Sequence, residues 1–179
     1  MVQSAVQNMA LIALGSNLGN SSRIICDAMA RLRQLSAGPL LTSALWHSTP
    51  VDCPPGSPPF INAAVALTPL ADETPHSLLG KLQALESEFG RKRKLVLNEP
   101  RPLDLDLIAF GTTACSTKEL ALPHPRAHLR RFVLEPLNEI APDFILPGRT
   151  QTIRQLLAGL GSPHSQIARH LRADHNAFD

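Results

Sequence analysis

Residues 91–111 read RKRKLVLNEPRPLDLDLIAFG and pass from a cluster of cations, through a loop broken by two prolines, into a short strand. In that strand three leucines alternate with Asp104 and Asp106. Side chains two residues apart on a strand point to the same face, so both carboxylates emerge together while the leucines face the core. The stretch therefore predicts a strand with a paired acidic face beside a cationic loop.

The paired carboxylates repel each other unless positive charge lies between them. Magnesium prefers hard oxygen ligands and is the first candidate for that charge. The nearby arginines indicate a further negative group, and a metal bound with a nucleotide polyphosphate satisfies all of these charges. The alternative is an edge strand in which Asp104 and Asp106 simply form the solvent-exposed face. The motif by itself does not exclude this alternative.

The composition fits one globular domain. A chain of 179 residues with 44% hydrophobic and 18% charged residues can bury one core, and this composition argues against global disorder. We expect a single domain over residues 1–179, with flexible ends at residues 1–8 and about 162–179. The net charge of +2 is too small to predict nucleic-acid binding.

The cysteines and the apolar runs indicate the compartment. Three widely spaced cysteines without a CxxC pair favour free thiols in a reducing cytosol over a disulfide framework or a zinc site. The apolar run at residues 9–14 is too short for the core of a signal peptide, and no run approaches membrane-spanning length. We therefore expect a soluble cytoplasmic protein, and a monomer because no exposed apolar seam is evident.

Hydrophobic period and turn residues predict the elements of the first half. A buried strand at residues 9–14 ends in GSNLGN, and Asn20 or Ser21 caps a helix that Gly38 and Pro39 stop. Residues 40–48 predict a second strand, and residues 60–67 predict a third. The five prolines between them predict a rigid loop that cannot join the sheet.

The second half of the sequence predicts further helices and strands. Thr74 followed by Pro75 starts a helix, and Gly90 ends it before the acidic strand. Short strands at residues 115–122, a helix near 132–140 and a helix at 152–160 follow. The order strand, helix, strand, strand, helix, strand fits the split βαβ arrangement. The sequence therefore predicts an α+β fold, an antiparallel sheet with packed helices.

Four motifs occur in order over roughly residues 11–148, namely ALGSNLGN, STPVDCPPGSPPFINAAVAL, PRPLDLDLIAFG and LPHPRAHLRRFVLEPLNEIAP. Together they resemble the 6-hydroxymethyl-7,8-dihydropterin pyrophosphokinase family of the folate pathway. The resemblance implies a ferredoxin-like α+β fold, with a mainly antiparallel sheet and packed helices in three α/β/α layers. It also implies transfer of the terminal diphosphate of ATP to the pterin hydroxymethyl group, with release of AMP.

The resemblance gives roles to the charged residues. It implies that Asp104 and Asp106 hold two magnesium ions against the phosphates of ATP, which is the co-substrate. Arg91 and Arg101 match the family's mobile-loop arginines, and a guanidinium fork suits phosphate oxygens. The nucleotide contacts that the resemblance implies are Gln83, Glu86, Arg93, His124 and Arg130.

The pterin contacts are also implied by matching positions. Phe60 and Phe132 align with the two aromatic positions that sandwich the ring. Asn62 offers the donor and the acceptor that its pyrimidine edge requires. The rigid loop is expected to contribute backbone groups from Thr49, Pro50 and Asp52. The implied partners are thus two small molecules, ATP and the pterin, with no nucleic acid and no membrane.

One departure and two other functions stay open. Many relatives carry a tryptophan where this chain has Asn98 and Glu99, so the mobile loop is expected to close with different contacts. The chain could be another metal-dependent phosphotransferase or nucleotidyltransferase, although Asn62 between two aromatic residues disfavours this. It could also be a binding module that has lost the chemistry, which the intact acids and arginines disfavour.

Overall fold

The computed structural model describes residues 7–50, 53–91, 99–161 and 167–169. These residues form eight strands and four α-helices. The first part contains β1 (Ala10–Ser16), α1 (Ser21–Leu32), β2 (Leu41–Thr42), β3 (Trp46–Ser48) and β4 (Phe60–Leu67). The second part contains α2 (Pro75–Glu88), β5 (Asp104–Phe110), β6 (Cys115–Ser116), β7 (Ala121–Leu122), α3 (Arg131–Ile140), α4 (Ile153–Gly159) and β8 (Ile167–Arg169). Short 3₁₀ turns lie at Arg33–Leu35 and Ala127–Leu129.

Several of the described helices begin at polar side chains that accept a hydrogen bond from an amide of the first turn. Such a cap satisfies one of the amides that has no partner within the helix. Gly90 follows the end of α2 with a φ of +86°, a conformation that glycine adopts without steric cost. The predicted start and end of α2 are therefore confirmed. The caps are Asn20 for α1, Thr74 for α2 and Thr152 for α4.

The main sheet has the strand order β5, β1, β4, β3, β8, and β2 also pairs with β4. These pairings are antiparallel. The strand β1 lies between β4 and β5, so residues of all three strands form rows across the sheet. The predicted antiparallel α+β arrangement is confirmed.

Helices cover both faces of this sheet. Ile12 and Val65 point to one face, where they belong to one buried cluster with Ile25 of α1 and Leu82 of α2. The residues that alternate with them point to the other face and pack with α3 and α4 in a second buried cluster. Because side chains alternate along a strand, both faces of the central strands are apolar. The result is the three-layer α/β/α arrangement that the resemblance implied.

The predicted single strand at residues 40–48 is two short strands, β2 and β3. Between them the Ser43 hydroxyl, in place of a main-chain carbonyl, accepts a hydrogen bond from the Ala64 amide at 2.9 Å. The amide of Ala44 donates instead to Glu139 Oε2 on α3, at 2.7 Å. The regular ladder is interrupted because two side-chain oxygens take over its hydrogen bonds.

Two further boundaries differ from the prediction. The α-helical part of α1 ends at Leu32 and continues only as a 3₁₀ turn, well before Gly38. Near the end of the chain, β8 pairs antiparallel with β3 through its backbone, and the sequence predicted no strand there. Within the described part of the chain, no helix combines the length and the apolar character needed to span a bilayer.

Candidate active site

The two acids of β5 share one face of the sheet, as their spacing predicts. Asp104 and Asp106 are partly exposed, whereas Leu103, Leu105 and Leu107 are buried on the opposite side. The leucines belong to the cluster under α1 and α2, which fixes the rotation of the strand. The carboxylates therefore lie on the face of the sheet that packs against α3, at the end of the sheet where β5 begins.

Two arginines converge on Asp104. Arg91 Nη1 lies 2.6 Å from Asp104 Oδ1, and Arg101 Nη2 lies 2.6 Å from Asp104 Oδ2. All three side chains are less than one-fifth exposed, so water screens these pairs less than it screens surface pairs. The arrangement places two guanidinium groups at one carboxylate, in position to receive further anionic oxygens.

Glu86 supports this cluster from α2. Its carboxylate Oε1 accepts a hydrogen bond from the Leu105 amide at 2.7 Å and is also paired with Arg91. Burial raises the pKa of Glu86 to about 7, although the Leu105 hydrogen bond and Arg91 oppose the rise and the charges of Asp104 and Asp106 add to it. Glu86 thus fixes the backbone between the two acids and holds Arg91 beside them.

Asp106 lies near His124 and Arg130. Burial and then the charge of Asp104 raise the pKa of Asp106, while His124, Arg130 and Arg101 act to lower it. Burial lowers the pKa of His124, and the charge of Asp106 opposes this effect. His124 reaches this position because its amide donates to the Ile108 carbonyl of β5 at 2.8 Å. The acid pair therefore has arginines on both sides, with Arg91 and Arg101 at Asp104 and Arg130 near Asp106.

A row across three strands joins the acids to Asn62. Gly15 of β1 pairs with Asn62 of β4 on one side and with Asp104 of β5 on the other. A Cβ atom at Gly15 would lie 3.8 Å from Asn62 Oδ1 and 3.9 Å from the Cβ of Asp104. The absence of a side chain at Gly15 leaves space between the amide and the acid.

Asn62 is buried and its orientation is fixed. Its Nδ2 donates to Ser48 Oγ at 2.7 Å and to the Trp46 carbonyl at 3.4 Å. A buried side-chain amide held by such bonds directs its remaining hydrogen-bonding capacity to one side. This geometry suits recognition of a flat polar edge.

Both predicted aromatic residues lie under an arginine. The guanidinium carbon of Arg101 is 5.7 Å from the centre of the Phe60 ring, and that of Arg130 is 5.5 Å from the centre of the Phe132 ring. These are cation–π distances. Each ring is therefore next to one of the cations that surround the acid pair.

The other predicted residues are placed less closely or lie elsewhere. Gln83 and Thr49 are exposed, and Pro50 is partly buried in the loop that leaves β3. Asp52 and Arg93 lie outside the described residues, as does Asn98. The structure thus gathers the acids, Glu86, three arginines, His124, the aromatic residues and Asn62.

Two residues of the site received no role from the sequence. Ser48 orients the Asn62 amide. Asn17 is only 3% exposed and exchanges hydrogen bonds with the backbone of Arg101. The signal for Asn17 is the GSNLGN motif, whose two glycines match neither GxGxxG nor a P-loop, so by itself the motif indicates phosphate binding only weakly.

Comparison with known proteins shows similarity over most of the chain. The family model described as 7,8-dihydro-6-hydroxymethylpterin-pyrophosphokinase (HPPK) matches residues 11–142. The chain is 38% identical over 148 residues to the 2-amino-4-hydroxy-6-hydroxymethyldihydropteridine pyrophosphokinase of Synechocystis sp., covering 83% of this chain and 74% of that relative.

Longer proteins contain a similar region. The chain is 36% identical over 146 residues to the folic acid synthesis protein fol1 of Pneumocystis carinii, covering 81% of this chain but only 19% of that protein. The crystal structure of wild-type Plasmodium falciparum HPPK-DHPS with pteroate matches with a TM-score of 0.65 and 15% identity. That match covers 85% of this chain and 42% of the solved chain, and it shows the shared fold. The extent of the family match and the identity to the Synechocystis enzyme show that this chain belongs to the 7,8-dihydro-6-hydroxymethylpterin-pyrophosphokinase family.

Proposed function

We propose that the residues gathered on β5 and around it transfer diphosphate from ATP to the hydroxymethyl group of 6-hydroxymethyl-7,8-dihydropterin, giving AMP and the pterin diphosphate. As a member of its family, the chain is a pyrophosphokinase of folate synthesis that uses ATP as co-substrate. The observation that carries the proposal is the paired acid face of Asp104 and Asp106, with Arg91 and Arg101 on Asp104.

Magnesium fits the donor set at the acid pair. Within the described residues, no group of three or more histidine, cysteine or acidic side chains could form a complete metal cage. Magnesium is usually held by one or two carboxylates together with substrate phosphates and water. Asp104 and Asp106 would therefore hold two magnesium ions jointly with ATP. When bound, the metal would neutralise phosphate charge and lower the pKa of the pterin hydroxyl.

The cations of the site bind and orient the phosphates. Phosphoryl-type transfer needs positioning and charge neutralisation more than covalent chemistry by the protein. Arg91 and Arg101 supply paired donors on one side of the acids, and on the other side Arg130 supplies positive charge and His124 supplies an imidazole ring that can donate a hydrogen bond. The implied contacts of Gln83 and Arg93 with the nucleotide complete this half of the site.

Glu86 has a different role from the one the resemblance implies. Its carboxylate already accepts from the Leu105 amide and pairs with Arg91. These contacts support a role in holding β5 and Arg91 rather than in contacting the nucleotide directly.

The pterin binds at the other end of the row. The buried Asn62 amide reads the pyrimidine edge, and Phe60 and Phe132 contact the faces of the ring. Thr49, Pro50 and Asp52 contribute groups from the proline-rich loop. We further propose that the chain forms a single domain and acts as a cytoplasmic monomer.

The test is formation of AMP from ATP and magnesium, with and without 6-hydroxymethyl-7,8-dihydropterin. We expect AMP only when the pterin is present, with one pterin diphosphate formed for each AMP. ADP as the nucleotide product would indicate an ordinary kinase. Binding of both substrates without a nucleotide product would indicate a binding module.

A further inference from the structure

We propose that Asn17 is a positioning residue that acts through Arg101 and links the cationic half of the site to the pterin half. The inference rests on the proposed function and adds a residue to it. Asn17 follows the end of β1 and is almost fully buried, although its side chain is polar. A buried amide is costly unless it is hydrogen-bonded, so its contacts account for its presence there.

The first link fixes the backbone of Arg101. The Arg101 amide donates to Asn17 Oδ1 at 2.9 Å, and the Asn17 amide donates to the Arg101 carbonyl at 3.2 Å. Arg101 lies between Pro100 and Pro102, which have no N–H group, so its amide is the single main-chain donor of this tripeptide. Asn17 therefore holds the segment on both sides of the Arg101 Cα atom.

The guanidinium of Arg101 depends on that anchor. It pairs with Asp104 at 2.6 Å and lies over the ring of Phe60 at 5.7 Å. Its Nε is buried and has no hydrogen-bond partner among the described residues, so the group is held by its other contacts and by its backbone. A shift of the backbone would move the cation relative to the acid pair, and small displacements of positioned groups lower catalytic rates strongly.

The second link reaches the pterin half. Asn17 Nδ2 donates to the carbonyl of Pro58 at 3.3 Å. Pro58 is two residues before Phe60, at the start of β4. One side chain thus joins the loop that leads to the pterin residues to the cation that faces the phosphates.

A double-mutant cycle tests this role. We would measure kcat and KM of pterin-dependent AMP formation for the wild type, Asn17→Ala, Arg101→Ala and the double variant. Asn17→Ala is expected to lower kcat about tenfold or more with Arg101 present, since misplaced catalytic groups cost that much. In the Arg101→Ala background it should change kcat less than about twofold, because residues acting through each other are not additive. The KM for the pterin should also rise in Asn17→Ala, because the bond to Pro58 is lost.

The controls separate positioning from simple loop stability. Asn20→Ala removes an exposed asparagine of the same motif whose side chain caps α1, so it should lower the melting temperature and leave kcat unchanged. If Asn17→Ala does not fold, Asn17→Ser replaces it in the same double-mutant cycle, with the same expected results.

The outcomes distinguish this inference from the function itself. A loss of kcat that is equal with and without the Arg101 side chain would show a merely structural role for Asn17. An unchanged kcat in Asn17→Ala would also overturn the inference. If the wild type forms no pterin-dependent AMP, the proposed function fails and the inference fails with it.

Discussion

At the residue scale, the two acids of β5 differ in their surroundings although they lie on one face. Asp104 is held by Arg91 and Arg101 at 2.6 Å each. Burial raises the pKa of Asp106, and the neighbouring charge of Asp104 adds to this rise. A cation that arrives with the substrate would bind most favourably next to Asp106, because the negative charge of this carboxylate is less fully balanced by nearby positive charge than that of Asp104.

The first prediction concerns this pair. Asp104→Ala or Asp106→Ala should reduce turnover by about 100-fold or more, because each removes a carboxylate that would hold magnesium against the reacting phosphates. The fold should be retained, because both carboxylates are partly exposed and lie outside the two buried clusters. Turnover is measured as AMP formation and folding by circular dichroism.

Asp27→Ala is the matched control, because Asp27 is an exposed acid on α1 that pairs with Arg23. It should leave turnover unchanged. Near-normal turnover of either β5 variant would remove the metal assignment.

The second prediction concerns the pH dependence of stability. Glu86 has a pKa of about 7 in the folded chain and 4.5 as its ordinary value. The folded state therefore binds more protons between these values, and the free energy of unfolding falls as pH rises from 4.5 to 7. Glu86→Gln should flatten this part of the curve, while its amide oxygen can still accept from Leu105. Urea unfolding across this pH range provides the measurement.

Some slope should persist in Glu86→Gln, because the pKa of Asp106 is also raised. Glu88→Gln is the control, since Glu88 lies on the same helix but pairs with Arg31 at the surface. Identical slopes for Glu86→Gln and the wild type would show that Glu86 is not the titrating group.

At the scale of elements, β1 is the strand that brings the two half-sites together. It lies between β4, which carries Asn62, and β5, which carries Asp104, and Gly15 is the residue opposite both. A Cβ there would meet its neighbours at 3.8–3.9 Å, which is ordinary contact, so the strand itself tolerates a side chain.

The third prediction uses this space. Gly15→Val should fold but raise the KM for the pterin about tenfold or more, because added methyl groups in a shaped pocket change binding by that order. Gly15→Ala should have a smaller effect in the same direction. Substrate titrations of AMP formation measure both.

Gly80→Ala is the control for an added methyl group. Gly80 lies in α2, where a Cβ would meet no described atom within 4 Å, and alanine favours helix. An unchanged pterin KM in Gly15→Val would show that the space beside Gly15 is not used by the substrate.

Sequence pattern predicted the elements well where their signals are local. Caps, prolines and glycines act within one turn, and they gave the start and end of α2. The same approach failed for residues 40–48, because the strand is divided by Glu139, which lies 95 positions from Ala44. A contact at that separation leaves no periodic signal in the segment itself.

At the scale of the whole molecule, one sheet is shared by two buried clusters. Leu82 on α2 and Leu134 on α3 are both fully buried, on opposite faces. Neither layer of helices can bury its apolar face without the sheet between them. The two layers should therefore unfold together.

The fourth prediction tests this coupling and the single-domain proposal. Leu82→Ala and Leu134→Ala should each lower the free energy of unfolding by about 2–5 kcal/mol, as is usual for a buried leucine. In both variants the transition measured by Trp46 fluorescence should coincide with that measured by far-UV circular dichroism. Leu70→Ala is the control, because Leu70 is 39% exposed. Two separate transitions would show that the layers are independent units.

The sequence by itself determined the antiparallel α+β fold, the paired acids and the family. These depend on alternation, on turn residues and on motifs, each of which lies within a short stretch. Only the tertiary structure decided how Arg91 and Arg101 meet at Asp104, how Glu86 supports them, and how Asn17 holds Arg101 from 84 positions away. The physical reason is that such contacts are created by packing, which places distant residues side by side and leaves no local period.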